Sequence, residues 1–157
     1  MTPKEKELYA VFREIRACFN QMKSLAEQLH QDLGVNPSMR AVMEALSTRS
    51  PQTVPDIAKN KGVSRQHIQT IMNSLQAEGF VDTFDNPAHK RSPLFNLTSK
   101  GRTVFAKIKE REKEPLQRLA AVMSSESLKH AQEALSQLNQ HLVDEIKKGD
   151  SNGKSSS

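Results

Sequence analysis

Tryptophan is absent and tyrosine occurs once, so aromatics make up only 4% of the 157 residues. A core drawn from this sequence must be mostly Leu, Ile, Val, Met and Ala. Cysteine also occurs once, at Cys18, which excludes an internal disulfide. No apolar run approaches membrane-spanning length, and the first residues lack the apolar stretch of a secretory signal. The expectation is a cytoplasmic protein with no membrane partner. Patterns that carry chemistry are missing too. His30, His67, His89, His130 and His141 show neither HExxH nor paired Cys/His spacing. No Ser-His-Asp arrangement, phosphate-binding glycine loop or carboxylate pair stands out. No catalytic residue, cofactor or metal ligand is assigned, and the length leaves no room for a separate catalytic domain. The sequence therefore points away from an enzyme.

What the chain does have is unevenly placed positive charge. The formal net charge is +5, which favours an anionic partner. Residues 53–102 hold seven basic residues, Lys59, Lys61, Arg65, Lys90, Arg91, Lys100 and Arg102, against four acidic ones, Asp56, Glu78, Asp82 and Asp85. Within that stretch, TVPDIAKNKGVSRQHIQTIMNSLQAEGF (53–80) reads as two short helices joined by a tight turn. Thr53 caps the first and Asp56 stands three residues on, as in a capping box. Pro55 falls in the first turn, where a missing N–H costs nothing. Ile57 and Ala58 face inward, Gly62 supplies the turn, Val63 plugs it, and Ser64 caps the second helix, which ends at Gly79. Ile68, Ile71, Met72 and Leu75 recur at helical spacing and form its apolar face. Arg65, Gln66, Gln69, Thr70 and Asn73 form the opposite face. Such a face suits the DNA major groove, since Arg pairs with guanine edges and Gln or Asn with adenine edges. The N-terminal end of the same helix offers N–H groups to a phosphate.

The following residues separate this reading from an ordinary amphipathic hairpin. Phe80, Val81, Thr83 and Phe84 suggest a strand, Asp85–Ala88 a turn, and Leu94, Phe95 and Leu97 a returning strand. His89, Lys90 and Arg91 make a basic tip. Pro93 cannot donate to a ladder and belongs at an edge or bulge. Thr98 caps a long helix. A hairpin with a basic tip directly after a helix-turn-helix is a wing.

The order of elements resembles the multiple-antibiotic-resistance regulator (MarR) family of winged-helix transcription factors. GVNPSMRAVMEAL (34–46), VSRQHIQTIMNSLQAEGFV (63–81) and NPAHKRSPLFNLTSKGR (86–102) carry the resemblance. It spans about residues 4–148, and LTSKGR is its most specific part. The resemblance implies a mainly α fold with a small β-hairpin wing (α+β). It implies a winged helix-turn-helix lobe over 36–98, dimerisation helices over 4–33 and 99–148, and a homodimer. The implied function is a sequence-specific regulator, a repressor, that binds a pseudo-palindromic operator in double-stranded DNA. Family precedent adds release by a small-molecule effector held between the dimer helices and the lobe. The DNA-binding residues are then Ser64, Arg65, Gln66, His67, Gln69, Thr70, Asn73, His89, Lys90 and Arg91. Arg91 matches the family's minor-groove arginine, but the Asp that usually braces it from two residues upstream is replaced by His89.

The outer segments agree with a dimer. Leu8, Val11, Phe12, Ile15, Cys18, Phe19, Met22, Leu25, Leu29 and Leu33 form a stripe about eight turns long. Leu128, Ala131, Leu135, Leu138, Leu142 and Ile146 form another over 125–147. A connecting helix over 99–123 carries Val104, Phe105, Ile108, Leu116 and Leu119, and Pro115 is expected to kink it or break it after Glu114. A winged-helix core cannot cover both stripes, so they must pack on each other or on a second subunit. From Gly149 the tail is expected to be disordered. Met22, Met39, Met43, Met72 and Met123 read as core-fillers. Cys18 reads as a buried structural thiol, with a redox-sensing thiol as the alternative, because some family members sense peroxides through a lone cysteine in this helix. A reading from another class is a winged-helix protein-interaction module. The polar face of the second helix argues against it, since a protein interface would want an aromatic or aliphatic anchor.

Overall fold

The structure, a computed structural model, describes residues 1–153. Two compact units divide the chain at Glu112–Lys113. In the first, α1 (Pro3–His30) ends in a short 3-10 turn, and α2 (Pro37–Thr48), β1 (Gln52–Thr53), α3 (Val54–Lys61), α4 (Arg65–Ala77), β2 (Val81–Phe84) and β3 (Leu94–Leu97) follow. The unit closes with the first half of α5 (Ser99–Val122). The second unit holds the rest of α5 and α6 (Ser125–Gly153).

The helix starts are written locally. Thr2 and Glu5 form a reciprocal capping box, Asn36 caps α2 through Met39 N, Thr53 caps α3 through Asp56 N, and Ser64 caps α4 through His67 N. Gly62 ends α3 at φ +66°, the left-handed conformation a glycine enters without penalty. Val63 follows with its N–H on Ala58 O at 3.0 Å, but its side chain is exposed and plugs nothing. The backbone bonds close this turn without it.

The core lies between α2, α3, α4, the sheet and the start of α5. Val42, Met43 and Leu46 meet Ile57, Ile68, Ile71, Met72 and Leu75, with Phe80, Phe95, Leu97, Phe105 and Ile108 completing it. The periodic apolar positions of the helix-turn-helix are all buried. The sheet has three antiparallel strands in the order β1-β3-β2, with Val81 opposite Leu97 and Phe84 opposite Leu94. The hairpin is the one expected. β1 is not, since two residues carry no readable period. It pairs Gln52 with Phe95, and its Gln52 amide donates to Ala45 O (2.8 Å) and Arg49 O (2.6 Å), closing the end of α2. Because β3 is paired on both sides, Pro93 lies just before it, outside the ladder.

The LTSKGR stretch is a clamp between the end of α4, the start of β2 and α5. Thr98 Oγ1 donates to Gly79 O at 2.7 Å and accepts from Gly101 N at 2.9 Å, while Thr98 N donates to Phe80 O. Lys100 Nζ donates to Glu78 O at 2.8 Å and lies over the Phe80 ring. Arg102 donates to Leu97 O at 2.8 Å. A Cβ at Gly101 would overlap the Phe80 carbonyl oxygen, so only glycine allows α5 this close. Lys100 and Arg102, counted by charge with the basic face, thus have their cations committed to main-chain carbonyls.

Several expectations about the outer helices are corrected. α5 is continuous through Pro115 and does not break after Glu114. The proline removes one backbone bond, and the Glu114–Arg118 pair, 2.7 Å apart one turn on, straddles it in the favourable order. α6 continues past Gly149 to Gly153, since extending an existing helix needs no new nucleus. Residues 154–157, the rest of the expected disordered tail, lie outside the described residues. Cys18 is exposed in the single chain, its sulfur 3.9 Å from Met22 Sδ. Met39, Met43 and Met72 are core-fillers, but Met22 and Met123 are exposed. So are Leu8, Val11, Ile15 and Phe19 on α1, Leu116 and Leu119 on α5, and Leu128, Leu135, Leu142 and Ile146 on α6. Among its described residues, the second unit buries none. No helix among the described residues is long and apolar enough to cross a membrane.

Candidate nucleic-acid interface

With Ile68, Ile71, Met72 and Leu75 held in the core, helical geometry turns the rest of α4 to solvent. Ser64, Arg65, Gln66, His67, Thr70 and Asn73 are exposed and Gln69 is half-buried. Ser64 Oγ takes up the His67 N–H at 3.0 Å, and the N–H groups of Arg65 and Gln66 have no intrahelical acceptor. The Gln69 amide donates to Asn73 Oδ1 at 2.9 Å, which fixes the two amides as one strip of donors and acceptors. Thr70 Oγ1 donates back to Gln66 O at 3.0 Å, so its hydroxyl keeps only acceptor capacity outward.

The wing loop is two successive turns. His89 N donates to Asn86 O and Ser92 N to His89 O, both at 3.2 Å. Lys90 and Arg91 are the two central residues of the second turn, which carries them out with His89 as an exposed tip. The Asn86 side chain ties both turns together. Its Nδ2 donates to Ser92 O at 2.9 Å and its Oδ1 accepts from Ala88 N at 3.1 Å. The sequence showed Asn86 only as a turn residue. Asn-Pro signals a turn, but a bond reaching six residues forward depends on where the loop closes.

α4 and the wing share one concave surface. Arg65, Gln66 and Gln69 from α4, Val54 and Pro55 from the start of α3, and Arg91, Ser92 and Pro93 from the wing line a groove of about 250 Å³. Of the residues singled out from the sequence, the groove gathers Arg65, Gln66, Gln69 and Arg91. Ser64, His67, Thr70, Asn73, His89 and Lys90 lie outside it. Among the described residues the cations of Arg65, Lys90 and Arg91 make no ion pair or hydrogen bond, unlike those of Lys100 and Arg102. This surface presents planar guanidinium and amide groups beside apolar walls, which is the chemistry of base-edge and phosphate contact. No group of three or more His, Cys, Asp or Glu among the described residues is placed to hold a metal ion.

A second polar cluster lies elsewhere in the same unit. The buried His30 at the end of α1 has Nε2 3.2 Å from Glu112 Oε1 on α5, and its Nδ1 has no partner among the described residues. Arg40 on α2 grips Glu112 with Nε at 2.5 Å and Nη2 at 2.6 Å, and reaches Glu44 with Nη1. Arg111 donates to both Asp32 oxygens and to Leu29 O. Burial pushes the Glu112 carboxyl up, but the Arg40 guanidinium and then His30 outweigh it and hold it below the usual 4.5. The Arg40 guanidinium is held more firmly charged by the same bonds. Arg111 likewise lowers Asp32. These pairs span about seventy to eighty positions of sequence, so spacing could not reveal them.

No profile of a known protein family matches the chain. Uncharacterised proteins of Mycobacterium tuberculosis and Mycobacterium bovis are 37% identical over 83 residues, 53% of this chain. The chain spans 58% of the length of those relatives. The uncharacterised HTH-type transcriptional regulator YkoM of Bacillus subtilis is 30% identical over 107 residues, 66% of this chain and 70% of YkoM. Among solved structures, the MarR family transcription regulator SP03579 is 25% identical with a TM-score of 0.75, over 92% of this chain and 95% of that one. The MepR–DNA complex of Staphylococcus aureus has the same TM-score at 17% identity, over 83% and 96%. At that identity the likeness concerns the fold.

Proposed function

Since the chain belongs to the MarR family of winged-helix transcription regulators, we propose that it acts as a dimeric repressor that binds a pseudo-palindromic site in double-stranded DNA. The observation that carries this reading is the groove where Arg65, Gln66 and Gln69 of α4 face Arg91 of the wing, with both guanidinium groups unengaged. In this reading α4 enters the major groove, where Gln66 and Gln69 meet base edges. Arg65, and the N–H groups of the first turn, take a phosphate or a guanine edge. Arg91 enters the adjoining minor groove, whose narrowed stretches attract a long cation. His67, Thr70, Asn73 and Ser64 border the base-reading strip, and His89 and Lys90 serve the wing's backbone contacts. MepR, a relative in fold, is seen in complex with DNA, which supports DNA as the partner.

Dimerisation is supported by exposed apolar residues. Leu8, Val11, Ile15, Phe19 and Met22 on α1, and Leu128, Leu135, Leu142 and Ile146 on α6, are uncovered in the single chain. That much apolar surface at helical spacing calls for a partner, and a second copy of the chain supplies it. Release by a small-molecule effector belongs to the proposal on the strength of the family resemblance. Nothing in this function requires catalysis. The test is selection of duplexes by the protein from a random-sequence pool, followed by a salt titration of the winner. A palindromic consensus bound with a steep salt dependence is the expected result. A pool that gains no sequence over successive rounds would refute sequence-specific binding.

A further inference from the structure

The wing arginine of this chain has no acidic brace two residues upstream, where His89 stands, and its guanidinium has no internal partner among the described residues. Its direction must come from the backbone. Among the described residues one side chain holds that backbone, the half-buried Asn86. Asn86 begins the first of the two turns, donates from Nδ2 to Ser92 O at 2.9 Å, and accepts from Ala88 N at 3.1 Å. Ser92 is the residue after Arg91 and closes the second turn onto His89 O. The loop from 86 to 92 is thereby a closed ring whose last link is the Asn86 amide. Arg91 lies inside that ring, one residue from the link, and lines the groove opposite Gln66 and Gln69.

We propose that Asn86 is the positioning residue of the wing, fixing through Ser92 O the backbone from which Arg91 reaches DNA. The inference rests on the DNA-binding function proposed above and adds to it the residue that sets where the wing cation goes. An amide is the right group for the task. It offers a donor to the carbonyl at 92 and an acceptor to the N–H at 88 at once. A carboxylate in its place would keep the second bond and set one of its oxygens against the Ser92 carbonyl. An unclosed loop would leave Arg91 several orientations, and binding would then carry the entropic cost of selecting one.

The experiment is a set of double-mutant cycles on the duplex that the wild-type protein selects from a random pool, read by fluorescence anisotropy. Asn86→Ala and Asn86→Asp should each weaken binding on the order of tenfold, close to the loss from Arg91→Ala. In an Arg91→Ala background, neither should weaken it further. Gln66→Ala should cost the same factor with and without Asn86→Ala, because α4 does not depend on the ring. Independent losses for Asn86 and Arg91 would overturn the proposal, as would wild-type affinity in Asn86→Asp. Should the Gln66 contribution also vanish in Asn86→Ala, Asn86 supports the lobe as a whole and the proposal fails. If Gln66→Ala weakens binding while Arg91→Ala and Asn86→Ala do not, the positioning role fails and the DNA-binding function stands. If none of the three does, the DNA-binding function itself falls.

Discussion

Gln66 and Lys90 stand for two kinds of contact, and their surroundings say which is which. Gln66 lies in the first turn of α4 and lines the groove, where a planar amide can meet the two edge atoms of an adenine. Lys90 is a flexible point charge at the wing tip, outside the groove, and suits phosphate. Gln66→Ala should relax sequence preference at one or two base pairs, at roughly 1–3 kcal/mol per lost bidentate contact. Lys90→Ala should weaken all sequences alike and flatten the log-log salt slope by about one unit. A binding series over operator variants and salt concentrations separates the two. Equal losses on every sequence for Gln66→Ala would remove it from base recognition. Lys100 and Arg102 provide the contrast at the same scale. Each carries the same unit charge as Lys90, yet each is engaged by a carbonyl of the clamp.

Among the elements, the clamp at the start of α5 sets how the wing stem meets α4. Glycine inside a helix ordinarily costs up to about 1 kcal/mol relative to alanine, so Gly→Ala should stabilise wherever there is space. At Gly149 on α6 a Cβ meets nothing within 4 Å, and Gly149→Ala should be neutral or mildly stabilising. At Gly101 the Cβ runs into the Phe80 carbonyl. Gly101→Ala should therefore destabilise by roughly 1–3 kcal/mol as α5 is pushed off. Urea unfolding midpoints of the two variants decide the matter, and a stabilised Gly101→Ala would show that α5 has room to shift.

The scale of the molecule brings in the polar cluster and the uncovered stripes. Arg40, His30 and Glu112 tie the end of α1 to α2 and α5. The folded-state value of Glu112 is depressed below 4.5. Its stabilisation is therefore complete above that value and is lost as pH falls through the folded-state one. Glu112→Gln should lower stability at about pH 7 by roughly 1–3 kcal/mol, since Arg40 loses its charged acceptor. The gap between variant and wild type should shrink as pH falls from 4.5 through the lower folded-state value. A gap that stays constant through acid titration would mean the carboxylate's charge contributes nothing. The stripes predict assembly and operator geometry together. Light scattering at micromolar concentration should give twice the chain mass. Two recognition helices should then require half-sites about 34–36 Å apart, and shifting one half-site by half a turn should abolish specific binding. A folded monomer, or binding indifferent to spacing, would contradict the proposed dimer.

The amino-acid sequence by itself determined the features that neighbouring residues can settle. The caps at Thr53, Ser64 and Thr98, the left-handed Gly62 and the buried face of α4 follow from interactions within a few positions, and the two strands of the wing from apolar runs on either side of turn residues. So did the identity of the exposed face, because burying Ile68, Ile71, Met72 and Leu75 leaves Arg65 and Gln66 no other direction. What only the tertiary structure decided involves partners remote in sequence or backbone closed in space. The pairing of Gln52 with Phe95, the grip of Arg40 on Glu112, the overlap that forces Gly101, and the groove shared by α4 and Arg91 are of this kind. So is the continuity of α5 through Pro115, where local chemistry predicted a kink or a break. Helical periodicity identifies the apolar faces of α1 and α6, but no pattern along one chain says what covers them. Burial is a property of the space around a residue, and the sequence specifies that space only after the chain has folded.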